Sequence, residues 1–125
     1  MQVKAGQKQQ DQAALSEPRL ILTCGLPGAG KTTLARRLAD ERGAVRLTKD
    51  EWLWALGSTP WDEAANDRVE AELWRLAQDI LRLGTSVVLD FGLWAREERD
   101  KMRLAARELG AGVELHYLDV PLAEL

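Results

Sequence analysis

The chain has 125 residues, enough for one domain, and its 46% apolar and 30% charged residues are typical of a globular protein. Its net charge of −3 disfavours a general nucleic-acid binder, because such proteins are usually basic. The single cysteine, Cys24, excludes an internal disulfide, and no apolar run reaches the roughly 18 residues of a membrane span. These features predict a cytoplasmic protein without membrane contact.

Two regions are predicted along the chain. Residues 1–18 are rich in Gln, Lys, Ala and Asp and lack the apolar segment of a secretion signal, so we predict a flexible polar tail. Residues 19–125 then form one domain of alternating elements. In chain order these are a strand Arg19–Cys24, a helix Lys31–Glu41, a strand Ala44–Leu47, a helix from Thr48, a helix from Thr59 to before Gly84, a strand Val87–Leu89, a helix Arg96–Leu109, a strand Val113–Val120 and a further helix from Pro121.

Two helix starts carry recognisable capping patterns. Thr48 and Glu51 have the spacing of a capping box, in which each side chain bonds the other residue's backbone N–H. Thr59 is predicted to cap the next helix, with Pro60 at its first position and Asp62 at its third. The alternation of strands and helices predicts a mainly parallel sheet with helices on both faces, a three-layer α/β/α fold.

A glycine-rich turn follows the first strand and opens the first helix. Its sequence, GLPGAGKT from Gly25 to Thr32, fits the phosphate-binding pattern G-x-x-x-x-G-K-[ST]. The backbone N–H groups of such a turn converge on phosphate oxygens, the lysine reaches the β- and γ-phosphates, and the threonine hydroxyl is placed to ligate Mg²⁺. The predicted nucleotide-binding residues are Gly25, Leu26, Pro27, Gly28, Ala29, Gly30, Lys31, Thr32 and Thr33.

Two acidic residues follow predicted strands. Asp90 comes directly after Val87–Leu89, which is a Walker B arrangement that suits contact with Mg²⁺; an ordinary turn aspartate is the alternative. Asp50 follows the second strand near the carboxyl edge of the sheet, where ligands bind in open α/β folds. It is either the base that accepts the proton of an attacking hydroxyl or a helix-stabilising acid in a first turn.

The segments Gly25–Thr33, Leu47–Leu53, Val87–Arg99 and Leu118–Leu125 resemble, in this order, the P-loop kinases of the AAA-family ATPase group. That group is similar to zeta toxins, chloramphenicol phosphotransferase and the kinase domain of phage polynucleotide kinase. The resemblance implies a P-loop NTPase fold and γ-phosphoryl transfer from ATP with Mg²⁺, with Asp50 as the base and Lys31 as the second catalytic residue. It also implies an arginine-bearing lid and a fifth strand, and the predicted fold is truncated before both.

Two arginines and the tryptophans are further candidates for the substrate site. Arg96 and Arg99 lie a few residues past Asp90, where related kinases face their substrate; a solvated helix face is the alternative. Trp52, Trp54, Trp61 and Trp94 flank the expected acceptor site, where they either stack on a ring-bearing substrate or pack between helices.

The leading prediction is an ATP-dependent kinase that phosphorylates a hydroxyl of a small molecule, with Thr32 and Asp90 as Mg²⁺ ligands. A nucleic-acid 5′-hydroxyl kinase and a non-catalytic ATP-binding module are the alternatives. Polynucleotide kinase relatives often place an arginine shortly after the base, whereas Glu51, Trp52 and Leu53 stand here, which disfavours the nucleic-acid substrate. The sequence leaves the oligomeric state open.

Overall fold

The computed structural model describes residues 17–25, 30–92 and 96–118. The tail predicted over residues 1–18 and the helix predicted from Pro121 lie almost wholly outside them. The described elements alternate in type as the sequence predicts. They are β1 (Arg19–Cys24), α1 (Lys31–Arg42), β2 (Val45–Thr48), α2 (Lys49–Ala55), α3 (Glu63–Arg82), β3 (Val87–Asp90), α4 (Arg96–Glu108) and β4 (Gly112–Tyr117).

The strands form one parallel sheet in the order β2-β3-β1-β4. β3 lies between β1 and β2, and β1 also pairs with β4. All four carboxyl ends therefore meet at one edge, and the segments that follow β1, β2 and β3 gather there. This edge is where the sequence predicts the functional residues.

Helices cover both faces of the sheet. On one face, leucines of β1 and β3 pack against Leu73, Ala77 and Leu81 of α3 and against Ala106 of α4. On the other, alternate residues of the same strands, Ile21 and Val88, pack against Ala35 and Leu38 of α1. The three-layer α/β/α prediction is confirmed. Leu20–Leu22 of β1 and Val87–Leu89 of β3 are continuous apolar runs because both faces of these strands are buried.

Both predicted capping patterns are wrong. Asp62 caps α3, where its Oδ1 accepts from the Ala65 N–H at 3.1 Å, so the helix begins after the turn at Thr59. Thr48 precedes α2 but makes no side-chain cap. Its hydroxyl oxygen accepts a hydrogen bond from Arg46, and its proton goes to Asp90 Oδ2 at 3.2 Å. A buried carboxylate is the stronger partner for that hydroxyl, which explains the difference.

Glu114 joins β4 to β1 and α1 through ion pairs. Its carboxylate accepts a two-pronged hydrogen bond from Arg42 at 2.7 and 2.9 Å, and Arg19 lies 3.4 Å away. His116 donates to the same carboxylate at 2.9 Å, so the only histidine has a structural partner. The Arg42 hydrogen bond outweighs burial and lowers the Glu114 pKa to about 2.

We predict that Glu114→Gln makes the free energy of unfolding less dependent on pH between pH 4.5 and 2. The folded-state pKa lies below the unfolded value of 4.5, so this contribution is present above pH 4.5 and lost as the pH falls towards 2. The variant should be less stable by about 1 kcal/mol at neutral pH, with a smaller loss on acidification. Urea unfolding across this pH range measures both quantities.

Glu108→Gln, at an exposed position at the end of α4, is the matched control and should keep the parental pH dependence. If Glu114→Gln loses as much stability on acidification as the wild type does, the Glu114 ion pairs do not stabilise the fold as described.

Candidate nucleotide and phosphoryl-transfer site

A buried carboxylate stands at the centre of the sheet's carboxyl edge. Asp90 is the last residue of β3, and its side chain is fully buried. Its register partners on the two flanking strands are both threonines, Thr23 of β1 and Thr48 of β2. The Thr23 hydroxyl donates to Asp90 Oδ1 at 3.1 Å, and the Thr48 hydroxyl donates to Oδ2 at 3.2 Å. The strands thus fix the carboxylate from both sides.

The first turn of α1 supplies the remaining partners of Asp90. Lys31 Nζ forms a salt bridge to Asp90 Oδ1, with its side chain 14% exposed. Thr32 Oγ1 donates to Asp90 Oδ2 at 3.0 Å. The lysine and threonine of the predicted phosphate-binding turn therefore meet the predicted metal-binding aspartate directly. The sequence places these residues about sixty positions apart, and the parallel sheet brings them together.

The hydrogen-bond donors keep Asp90 ionised. Burial alone would raise the pKa of this carboxyl, but the Lys31 hydrogen bond and charge, with the hydroxyls of Thr32 and Thr23, lower the pKa below its usual value. A buried carboxylate that stays negative beside one ammonium group suits the binding of a cation.

Two glycines shape the ends of the phosphate-binding turn. A Cβ at Gly25 would lie 3.1 Å from the Leu118 carbonyl oxygen, because the chain after β4 passes directly over this point. Gly30 has φ +88°, in the left-handed region, and precedes α1. The first N–H groups of α1, which include that of Thr33, have no partner within the helix. Leu26, Pro27, Gly28 and Ala29 lie outside the described residues.

The donor set at this edge fits Mg²⁺. Thr32 Oγ1 and Asp90 Oδ2 lie 3.0 Å apart and are hard oxygen ligands of the kind Mg²⁺ prefers. Within the part of the chain that the structure describes, no group of three or more His, Cys, Asp or Glu residues could hold a metal. Mg²⁺ usually binds through one or two protein oxygens together with substrate phosphates and water, and the residues present match that pattern.

The start of α2 presents one charged residue outwards and another inwards. Asp50 is exposed in the first turn of α2, at the same edge of the sheet as Asp90. Lys49 beside it is buried, and its ammonium group is 2.9 Å from Glu70 Oε2 of α3 and 5.8 Å from the Phe91 ring centre. The ion pair links α2 to α3, and the contact with the ring links Lys49 to the residue after Asp90. Together they fix the start of the helix that carries Asp50.

The two candidate arginines of α4 differ in their surroundings. Arg96 is exposed at the first position of the helix. Arg99 is half-buried, and its Nε is a buried donor without a hydrogen-bond partner. Such an unsatisfied buried donor is rare in folded proteins, because it costs about 1–3 kcal/mol.

A cleft of 590 Å³ lies between α2 and α3, and we call it the α2–α3 cleft. Trp52, Leu53 and Leu56 of α2 and its end face the α3 residues Arg68, Val69 and Glu72 across it. Trp54 and Trp61 instead pack edge to face, with ring centres 6.0 Å apart, and both are exposed. Trp94 lies outside the described residues.

Several residues of the site escaped the sequence analysis. They are Thr23, Thr48, Lys49, Glu70 and Phe91. A polar residue near the end of each strand that flanks β3 was the available signal for the two threonines. No local pattern marks the Lys49–Glu70 pair, because its partners are 21 residues apart and are brought together by helix packing.

The fold and this site define a P-loop α/β protein. The chain belongs to the AAA_33 family of AAA domains, whose family model matches residues 20–125. No curated protein matches the sequence.

The sheet and helices are similar to those of several solved structures, two of which are named as kinases. One chain of the Pnkp1/Rnl/Hen1 complex is 24% identical with a TM-score of 0.73, and 87% of this chain covers 38% of that one. A sugar kinase from Janibacter sp. HTCC2649 is 22% identical with a TM-score of 0.61, and 86% of this chain covers 63% of it. The APS kinase CysC of Mycobacterium tuberculosis is 20% identical with a TM-score of 0.63, and 84% of this chain covers 78% of it.

These likenesses concern the fold alone. The chain spans well under half the length of the first of these proteins, and in the described residues no helix has the length and apolarity to cross a membrane.

Proposed function

We propose that this protein is a kinase that binds ATP with Mg²⁺ and transfers the γ-phosphoryl group to a hydroxyl of a small molecule. The observation that carries the proposal is the contact of Lys31 and Thr32 with the buried Asp90. These are the residue types that hold a nucleoside triphosphate and its metal in P-loop proteins. The family and the kinase folds to which the chain is similar support the same reaction class.

Nucleotide binding would exchange the partners of Lys31 and Asp90. The Lys31 ammonium group, which now bonds Asp90, would turn to the β- and γ-phosphate oxygens. Asp90 would keep the hydroxyl bonds of Thr23 and Thr48 and turn its freed oxygen to Mg²⁺, with Thr32 as the second ligand. The bound ion would neutralise charge on the phosphates, and the protein residues hold it in position.

Asp50 is the proposed base. The hydroxyl oxygen of the acceptor forms a bond to the γ-phosphorus, the bond to the bridging β–γ oxygen breaks, and ADP leaves. The hydroxyl proton passes to the Asp50 carboxylate. This role is supported by the exposure of Asp50 at the sheet edge that also holds Asp90, and by the Lys49–Glu70 pair that anchors its helix.

Of the two candidate substrate arginines, we favour Arg99. A phosphate or acceptor oxygen would satisfy its unpaired Nε, whereas Arg96 is exposed and has no comparable need. A guanidinium group there would help to neutralise charge that develops during transfer.

We predict that Lys31→Ala weakens MgATP binding by about 10- to 100-fold, because a charged hydrogen bond to the phosphates is lost. Isothermal titration calorimetry of the wild type and the variant measures the change. Lys101→Ala, at an exposed position of α4, is the control and should bind as the wild type does. Equal affinity of Lys31→Ala and the wild type for MgATP would contradict the proposal that Lys31 binds the phosphates.

We predict that Asp50→Asn lowers phosphoryl transfer by about 10²- to 10⁴-fold, while MgATP affinity stays unchanged, because only the proton acceptor is removed. A screen of labelled ATP against metabolite alcohols supplies the acceptor, and the same assay compares the variants. Asp67→Asn, at an exposed position of α3, is the matched control.

Two other results would replace the proposal. If ATP binds but no acceptor is phosphorylated and Asp50→Asn is silent, the protein is a non-catalytic nucleotide-binding module. If a 5′-hydroxyl oligonucleotide is the acceptor, with salt-sensitive binding, it is a nucleic-acid end kinase.

A further inference from the structure

We propose that the acceptor is an uncharged molecule that carries a ring and several hydroxyl groups, and that its ring binds in the α2–α3 cleft. The inference rests on the proposed function, because it names the substrate class of that kinase. It depends on the location, lining and charge of the cleft.

The location of the cleft follows from α2. Asp50 lies in the first turn of α2, and the helix residues Trp52 and Leu53 line the cleft together with the C-cap residue Leu56. The Lys49–Glu70 ion pair ties the start of α2 to α3 at 2.9 Å. Asp50 does not itself line the cleft, but the lining residue Leu53 is three positions further along the helix and therefore one helical turn away. The cleft thus opens within one helical turn of the proposed base.

The inner lining of the cleft is apolar. Leu53 and Leu73 are almost completely buried and form the floor of the cleft with the half-buried Val69. Trp52 is 41% exposed and lines the same cleft. An aliphatic floor beside an indole ring suits the apolar faces of a ring-bearing molecule. The cleft volume of 590 Å³ lies within the range of about 300–1,000 Å³ that is usual for small-molecule sites.

The rim of the cleft is polar and carries more acid than base. Asp62, Glu72 and Arg68 line it, so the formal charge of the lining is −1. Asp62 caps α3, and Glu72 accepts hydrogen bonds from Arg75, which lowers its pKa and keeps it negative. Carboxylate oxygens can still accept from hydroxyl groups of a ligand.

Arg75 offsets part of this charge, so the rim offers a phosphate-bearing acceptor no excess of positive charge. Arg68 is four residues before Glu72 on α3, which places the two side chains on the same face of the helix. An anion at Arg68 would therefore lie near the Glu72 carboxylate, with Asp62 on the same rim. A polyanionic nucleic-acid end needs a basic surface, and the cleft does not supply one.

The test is calorimetric titration of the full chain with phenyl β-D-glucoside, benzyl alcohol, uridine and a short 5′-hydroxyl oligothymidylate. Trp52→Ala removes the aromatic lining, and Trp61→Ala is the matched control, because Trp61 is 79% exposed and does not line the cleft. Leu56→Glu places a charge in the cleft at a 67% exposed position, and Leu83→Glu is its control at an 84% exposed position. Neither Trp52 nor Leu56 belongs to the buried core, so the variants should fold.

We expect phenyl β-D-glucoside or uridine, which carry several hydroxyl groups, to bind more tightly than benzyl alcohol, which carries one. Trp52→Ala should weaken that binding about tenfold, and Trp61→Ala should change it by no more than about twofold. Leu56→Glu should weaken it more than Leu83→Glu does. Tighter binding of the oligothymidylate than of every alcohol, binding by none of the alcohols, or equal effects of Trp52→Ala and Trp61→Ala would each overturn the inference.

Failure of this inference and failure of the proposed function are distinguishable. The titrations with alcohols need no nucleotide, whereas the proposed function is tested by MgATP binding and by the Lys31 and Asp50 variants. Normal MgATP binding without binding in the cleft removes only the substrate class. Binding of alcohols in the cleft without binding of MgATP contradicts the proposed kinase function.

Discussion

The salt bridge between Lys31 and the buried Asp90 is the interaction on which the site depends. Two charges in a poorly solvated position are stable only when each is paired and hydrogen-bonded. Asp90 meets that condition through three threonine hydroxyls and one ammonium group. The four donors come from three elements, so this one carboxylate ties β1, β2 and α1 to the end of β3. The arrangement needs a parallel sheet, because only then do these ends meet.

Under the proposed function, the same salt bridge gives the site two arrangements. In the structure Lys31 and Asp90 pair with each other, whereas with a triphosphate and its metal each would have a stronger partner of the opposite charge. The proposed binding step is therefore an exchange of ion pairs. The threonines keep the carboxylate oriented throughout, because their hydroxyls bond it from strands that do not need to move.

Much of the fold and part of the site are predictable from the sequence. The strands at Arg19 and Val87 are continuous apolar runs bounded by turns, and the glycine pattern before Lys31 has a specific chemical purpose, so local reasoning suffices for both. The helix start at Thr59 is wrong because Asp62 offers a competing cap. The Thr48 cap is wrong because a buried carboxylate, distant in sequence, takes its hydroxyl proton. Contacts such as Lys49 with Glu70 depend on helix packing, which periodicity does not encode.

The most direct test of the partner exchange is the ATP affinity of Asp90→Asn with and without Mg²⁺. The amide oxygen in the position of Oδ2 can still accept from Thr32 and Thr48, but the amide group carries no charge to hold Lys31. Metal-free ATP should bind the variant several-fold more tightly than it binds the wild type, by about 1 kcal/mol, while the gain on adding Mg²⁺ should shrink. If Asp90→Asn weakens ATP binding equally with and without Mg²⁺, Lys31 and Asp90 do not exchange partners and the account is wrong.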